Sequence, residues 1–190
     1  MFVCKNYRVE GGLSNRLHTV SNDLCQIKAL MGKGLGIKQG GTHLAFTAGT
    51  GILPFIDLVA LMVRANLGIL DPEVMPAQFK AGSTFKFVLY VSFDSRKDAL
   101  AMELLEGLYE ITQKLGLKNF DLVIRLSSEK QGSRWNEEFI KRQFQIRTGE
   151  TIEKVWVCGP PVMNELFDRT FESMINEGEL KLNRQQLELM

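Results

Sequence analysis

HLAFTAGTGILPF, residues 43–55, is the stretch whose reading decides the fold. His43–Ala48 is a short apolar run of the length and composition of a buried strand. Gly49 and Gly51 follow where the strand must end, and glycine permits a tight turn with close backbone approach. Ile52 to about Gly68 (ILPFIDLVALMVRANLG) then spaces its apolar residues as a helix does. Strand, glycine turn and helix in that order direct free amides and the positive helix end at one point, which suits a pyrophosphate. The same turn also serves plain strand-to-helix packing, and no acidic ribose ligand is clearly placed about 20 residues further on.

The unit recurs along the chain. FKFVLYVSF (85–93), FDLVIRLSS (120–128) and EKVWVCG (153–159) read as strands, and QQLELM (185–190) as a last short one. Helical spacing separates them, over Asp98–Gly116, over NEEFIKRQF (136–144) and after Pro160-Pro161, where proline near a first turn costs little. In the Asp98–Gly116 segment, Leu100, Leu104, Leu105, Leu108, Ile111 and Leu115 are expected to form a stripe facing the core. Strands alternating with helices predict an α/β fold, an open, doubly wound parallel sheet covered on both faces. Residues 1–40 differ: they are rich in glycine and short turns, with strands expected in MFVCKNY and LCQIKAL.

Composition narrows the function. The chain has 190 residues, 45% hydrophobic and 24% charged, and a formal net charge of +1, which gives no electrostatic case for binding nucleic acid. Cys4, Cys25 and Cys158 form no close pair, so a reducing compartment is expected, and with two histidines no histidine-based metal cage is expected. The most apolar stretch, Leu53–Val63, is interrupted by Pro54 and Asp57 and reads as too short for a membrane helix. No membrane contact is expected from this segment, and the expected location is the cytoplasm, or the cytoplasmic face of a membrane in a longer protein.

A second turn lies at the end of EKVWV, in Cys158-Gly159-Pro160-Pro161. Ligands of open parallel sheets bind outside the carboxyl ends of the strands, so Cys158 is expected at the same rim as Gly49 and Gly51. A buried structural thiol is the plain alternative. No histidine and carboxylate set accompanies Cys158, so a hydrolytic nucleophile is a poor reading.

Taken together, Thr47–Phe55 resembles the G-x-G-I-x-P-F turn of the ferredoxin reductase superfamily, as found in cytochrome b5 reductases and ferric reductases. Cys158-Gly159-Pro160-Pro161 with Met163 resembles its C-G-P-P-x-M turn, and Ser95–Leu100 its T-x-x-D-I-L segment. Gly11-Gly12-Leu13-Ser14 is similar to its flavin-phosphate motif, although Ala29-Leu30 stands where Gly-Pro is usual in the following loop and no R-x-Y-[ST] motif precedes. The resemblance implies that residues 1–40 are the C-terminal part of a flavin-binding antiparallel β-barrel, the remainder of which is a missing partner segment, and that 41–190 bind NADH or NADPH. It implies that Thr47, Gly49, Thr50, Gly51 and Pro54 contact the dinucleotide, that Ser95 and Arg96 lie near the adenosine ribose, and that Cys158, with Gly159 and Pro160, lines the nicotinamide pocket at the catalytic position. Gly12 and Ser14 would hold the phosphate of FAD in the intact protein. The implied activity is that of an NAD(P)H-dependent flavoprotein reductase passing electrons to haem, iron or another carrier, with the isolated chain inactive. A non-catalytic nucleotide-binding or interaction module without its own flavin is the alternative. Arg96 and Lys97 could read a 2′-phosphate or merely decorate a solvated turn; Asp94 tips the expectation towards NADH.

Overall fold

The computed structural model describes residues 34–73, 75–80, 82–128, 135–178 and 182–190. The expectations for Gly12, Ser14 and the strands of residues 1–33 lie outside them. The five described strands are β1 (Thr42–Ala48), β2 (Lys86–Phe93), β3 (Phe120–Leu126), β4 (Ile152–Cys158) and β5 (Leu187–Leu189). They form one sheet in the order β3-β2-β1-β4-β5, and every pairing is parallel. The helices between them are α1 (Leu53–Asn66), α2 (Met102–Lys114), α3 (Glu137–Gln145) and α4 (Pro161–Asn176).

Near-continuous apolar strands mark a sheet buried on both faces. On one face Ala45, Leu89, Val91 and Trp156 pack against Phe55, Val59 and Met62 of α1 and Leu105 of α2. On the other, Phe46, Tyr90, Val155 and Val157 meet Ile140 and Phe144 of α3 and Phe167 and Phe171 of α4. The Phe46 and Tyr90 rings stack with centroids 4.3 Å apart across neighbouring strands. This is the doubly wound sheet expected from the alternation.

Two expectations are corrected. The apolar run around Leu53–Val63 extends over Gly49–Asn66, 18 residues of mean hydropathy 1.2, long and apolar enough by composition to cross a bilayer. Its apolar side is instead built into the core, with Phe55, Leu58, Val59, Met62 and Val63 buried. The helix expected from Asp98 starts only at Met102, because Ala101 adopts φ +56 and breaks the turn. Arg96–Asp98 forms a separate 3-10 turn. Within α2, Leu105 is fully buried, while Leu104 is 49% exposed and Leu115, just past its end, 45% exposed. The stripe is narrower than the leucine spacing suggests, since only the side centred on Leu105, Leu108 and Ile111 meets the sheet.

His43 lies at the opposite end of β1 from the glycine turn and is fully buried. Its Nε2 accepts from the Lys38 amide at 3.1 Å, so Nδ1 carries the proton towards the Gly41 carbonyl at 3.3 Å. Burial pulls its pKa down from 6.5 to about 4. The unfolded chain therefore binds a proton across a range in which the folded chain does not. Stability from this group is complete above the unfolded value and is lost as pH falls towards the folded one. The full loss is about 3 kcal/mol. The shifted carboxylates Glu106, Glu150 and Glu177 all move below 4.5, outside the upper part of this window. Urea midpoints at about pH 7 and about pH 5 should therefore differ in the native protein and differ less in His43→Gln. Equal differences would mean that the imidazole is not held neutral.

Candidate functional site

The strand order creates the site. From β1 the chain winds outward through β2 and β3, then returns to the other side of β1 as β4 and continues to β5. Winding therefore reverses between β1 and β4, and the crevice outside the carboxyl ends of such a pair is where open α/β sheets bind ligands. Register places Thr47 opposite Cys158 at this point, so the two turns singled out in the sequence begin side by side.

They are also in contact. A Cβ on Gly51 would lie 2.0 Å from the Cys158 carbonyl oxygen, 2.6 Å from its carbonyl carbon and 3.2 Å from its Sγ. Only a residue without a side chain lets the first turn run this close to the end of β4. Gly49 is glycine for a different reason. Its φ is +56, and a Cβ there would meet nothing within 4 Å. The backbone is left-handed and faces open space. Gly159 is tight against Met163, whose Sδ would be 2.6 Å from an added Cβ, with Ala48 Cβ at 3.3 Å.

Gly49–Ile52 forms a 3-10 turn that runs directly into α1, and neither start carries a side-chain cap. Pro54 occupies the first turn of α1, where its lack of an amide leaves nothing unpaired. The open cradle at Gly49 and the uncapped amides beyond it fit an anionic group such as a pyrophosphate. Thr47 contributes differently: its buried hydroxyl donates to the Tyr90 carbonyl at 2.9 Å, so it ties β1 to β2. Thr50 is half-buried and Pro160 is exposed on the rim, immediately before α4.

Cys158 is a free, half-buried thiol, and burial pushes its pKa up. It is therefore a neutral thiol at physiological pH, suited to packing against a ring and unsuited to nucleophilic attack. No group of three or more histidine, cysteine or acidic side chains among the described residues could hold a metal ion.

Ser95 and Arg96 sit beyond the end of β2, on the same rim but on the far side of β1 from Cys158. The Ser95 hydroxyl donates to Asp98 Oδ2 at 2.6 Å. Arg96 makes a two-pronged pair with Glu106 of α2, at 2.9 and 2.7 Å. The spacing of residues does not reveal this pair, because Glu106 reads as one charge on a solvated helix face. Arg125, at the end of β3, is a further cation of this rim that the sequence did not single out; its guanidinium lies 4.0 Å above the Phe139 ring.

The fold is defined at this point: a parallel α/β sheet of the type found in the NAD-binding domain of ferredoxin reductases. No family model and no curated protein matches the sequence. Solved structures do match. The CS-b5R domains of human Ncb5or, in the NAD+ form, are similar with a TM-score of 0.64 and 16% identity, covering 97% of this chain and 47% of that one. A mutant ferredoxin-NADP+ reductase from Plasmodium falciparum in complex with 2′P-AMP gives a TM-score of 0.51 at 13% identity, over 80% of this chain and 53% of that one. Flavohemoglobin from Malassezia yamatoensis, with bound FAD and heme, gives 0.50 at 15% identity, over 82% and 33%. All three are ferredoxin-reductase-like proteins. This chain spans between about a third and about half of their length, and at such identities the likeness is one of fold.

Proposed function

We propose that this chain is the NAD(P)H-binding part of a flavoprotein oxidoreductase, with the dinucleotide lying across the carboxyl rim of the sheet. The observation that carries the reading is the apposition of Gly51 and Cys158 at the reversal of winding between β1 and β4. Gly49, Thr50 and Gly51 hold the pyrophosphate through backbone amides, and the end of α1 adds its dipole. Pro54 keeps the first helical turn in place beneath them. Cys158, Gly159 and Pro160 form the wall against which a nicotinamide ring rests, and the neutral thiol orients the ring by contact. Ser95 and Arg96 lie towards the adenosine end.

When bound, the dinucleotide supplies a hydride for a flavin, whose electrons then go on singly to haem, iron or another carrier. The similar structures support this by what they contain, NAD+ in one and FAD with heme in another. In this reading residues 1–40 belong to the flavin-binding part, Gly12 and Ser14 lie on the flavin phosphate, and the protein acts on the cytoplasmic side.

Calorimetric titration of the full chain with NAD+ and with NADP+ tests the reading, accompanied by a spectrum of the freshly purified protein. Binding of at least one dinucleotide is expected; binding of neither removes the proposal. Flavin retained by the purified chain excludes the second reading, a nucleotide-binding module without its own flavin. If flavin is retained, Cys158→Ala is expected to slow rapid-reaction flavin reduction by about tenfold while changing dinucleotide affinity much less, because ring placement within a fraction of an ångström governs transfer. An unchanged reduction rate would take Cys158 out of the ring-positioning role.

A further inference from the structure

Beyond β2, the carboxylates Asp94, Asp98 and Glu106 lie with the cations Arg96 and Lys97, and Arg125 adds its charge at the end of β3. Two of the groups that would greet a phosphate, Ser95 and Arg96, are already engaged by these carboxylates. The Ser95 hydroxyl is turned to Asp98. Asp94 Oδ1 accepts from the Ser127 hydroxyl at 2.9 Å, which joins the ends of β2 and β3. Both terminal nitrogens of Arg96 face the two oxygens of Glu106.

That pair is geometrically complete. A guanidinium fork and a carboxylate match in two parallel bonds, the same arrangement Arg uses for a phosphate. The partners stand ten residues apart, one in the turn after β2 and one in α2, so the pair fixes how the turn lies against the helix. The Arg96 side chain is 57% exposed and that of Glu106 31%. Ion pairs this open contribute little to stability, so their effect falls on what approaches the rim. Arg96 in turn holds the Glu106 carboxyl below the usual carboxylate range, which keeps it charged.

A nucleotide ribose meets this surface in one of two forms. An unmodified ribose offers hydroxyls, which donate to carboxylates. A 2′-phosphorylated ribose brings about −1.5 to −2 of charge at neutral pH and needs an arginine fork. To receive it, Arg96 must leave Glu106, and Glu106 is then a bare carboxylate facing a phosphate. We propose that Glu106, by holding the Arg96 guanidinium, makes this rim selective for the unphosphorylated dinucleotide, NAD(H), over NADP(H). Glu106 is thus a specificity-determining residue that acts through Arg96. The inference rests on the dinucleotide-binding reading above and adds to it the choice between the two coenzymes.

The test is calorimetric titration of the full chain with NAD+ and NADP+ at one fixed ionic strength. The native protein is expected to bind NAD+ about tenfold or more tightly than NADP+, the scale of a charge-assisted pair that must be broken. Glu106→Gln keeps the shape of the side chain and removes its charge, and the ratio of the two affinities should shift towards NADP+ by about tenfold. Adding Arg96→Ala to Glu106→Gln should abolish that gain, since the Arg96 guanidinium is what the phosphate binds. Native protein that binds the two nucleotides equally, or NADP+ more tightly, overturns the selectivity while leaving dinucleotide binding intact. Glu106→Gln moving both affinities by the same factor overturns the role of Glu106. Binding of neither nucleotide overturns the parent reading and this inference together.

Discussion

Gly51→Ala is expected to destabilise the chain by about 2–3 kcal/mol, the range for forcing an atom into a closed core contact, and to weaken dinucleotide binding by about tenfold or more as the turn is displaced. The added Cβ would stand 2.0 Å from a backbone carbonyl oxygen and 2.6 Å from its carbon. Backbone cannot rotate out of the way as a side-chain end can. Relief requires the Gly49–Ile52 turn and the end of β4 to separate, and these are the two walls of the proposed site. The neighbouring glycines serve as internal controls. Gly159→Ala presses on the Sδ of Met163, the flexible end of an adaptable side chain, and should cost less than about 1 kcal/mol. Gly49→Ala has open space but a left-handed φ of +56, and should cost about 1–2 kcal/mol. Urea unfolding of the three variants, with calorimetry on each, checks the order. A Gly51→Ala protein as stable as the native one would mean that the turn and the strand end do not touch.

Trp156→Ala should have the largest effect on stability, a loss of about 3–5 kcal/mol, enough to unfold a marginal domain. Trp156 is fully buried in the middle of β4. Its ring lies 5.7 Å from those of His43 and Phe55 and 6.4 Å from that of Phe87. Its Nε1 donates to the Leu35 carbonyl at 3.1 Å. Truncation opens a cavity among these rings and leaves that carbonyl without its donor. Trp156→Phe refills most of the volume but not the hydrogen bond, and should cost about 1–3 kcal/mol. Denaturant midpoints followed by far-ultraviolet circular dichroism read both. Because Trp156 stands two residues before Cys158, the alanine variant should also loosen the rim. A fall of less than about 1 kcal/mol in Trp156→Ala would contradict the packing described here.

The legibility of the fold differs from element to element. The strands at Thr42–Ala48 and Lys86–Phe93 are visible as apolar runs because they are buried on both sides, so no polar alternation interrupts them. The start of α2 is not visible. Ala101 is an ordinary helix-forming residue, and its left-handed conformation is imposed by how the Arg96–Asp98 turn joins the helix. Leu104 and Leu115 look like core positions by spacing, yet the sheet reaches only the side of α2 that carries Leu105. The glycines of the first turn are legible as a turn. The reason for Gly51 is not, because the atoms that exclude a side chain belong to Cys158, more than a hundred residues away in the chain.

Local order along the chain was therefore already settled by composition and period: which segments extend, which coil, where glycine breaks one into the other, and that the sheet is parallel with helices on both faces. These follow from short-range sterics and from the burial each segment needs. The order β3-β2-β1-β4-β5 came only with the tertiary structure, and with it the direct contact of Gly51 with Cys158, expected from the sequence only at a common rim, and the engagement of Arg96 by Glu106. Contacts of that kind depend on where whole strands dock, and a residue's immediate neighbours in the chain carry no trace of the partner that docking will bring.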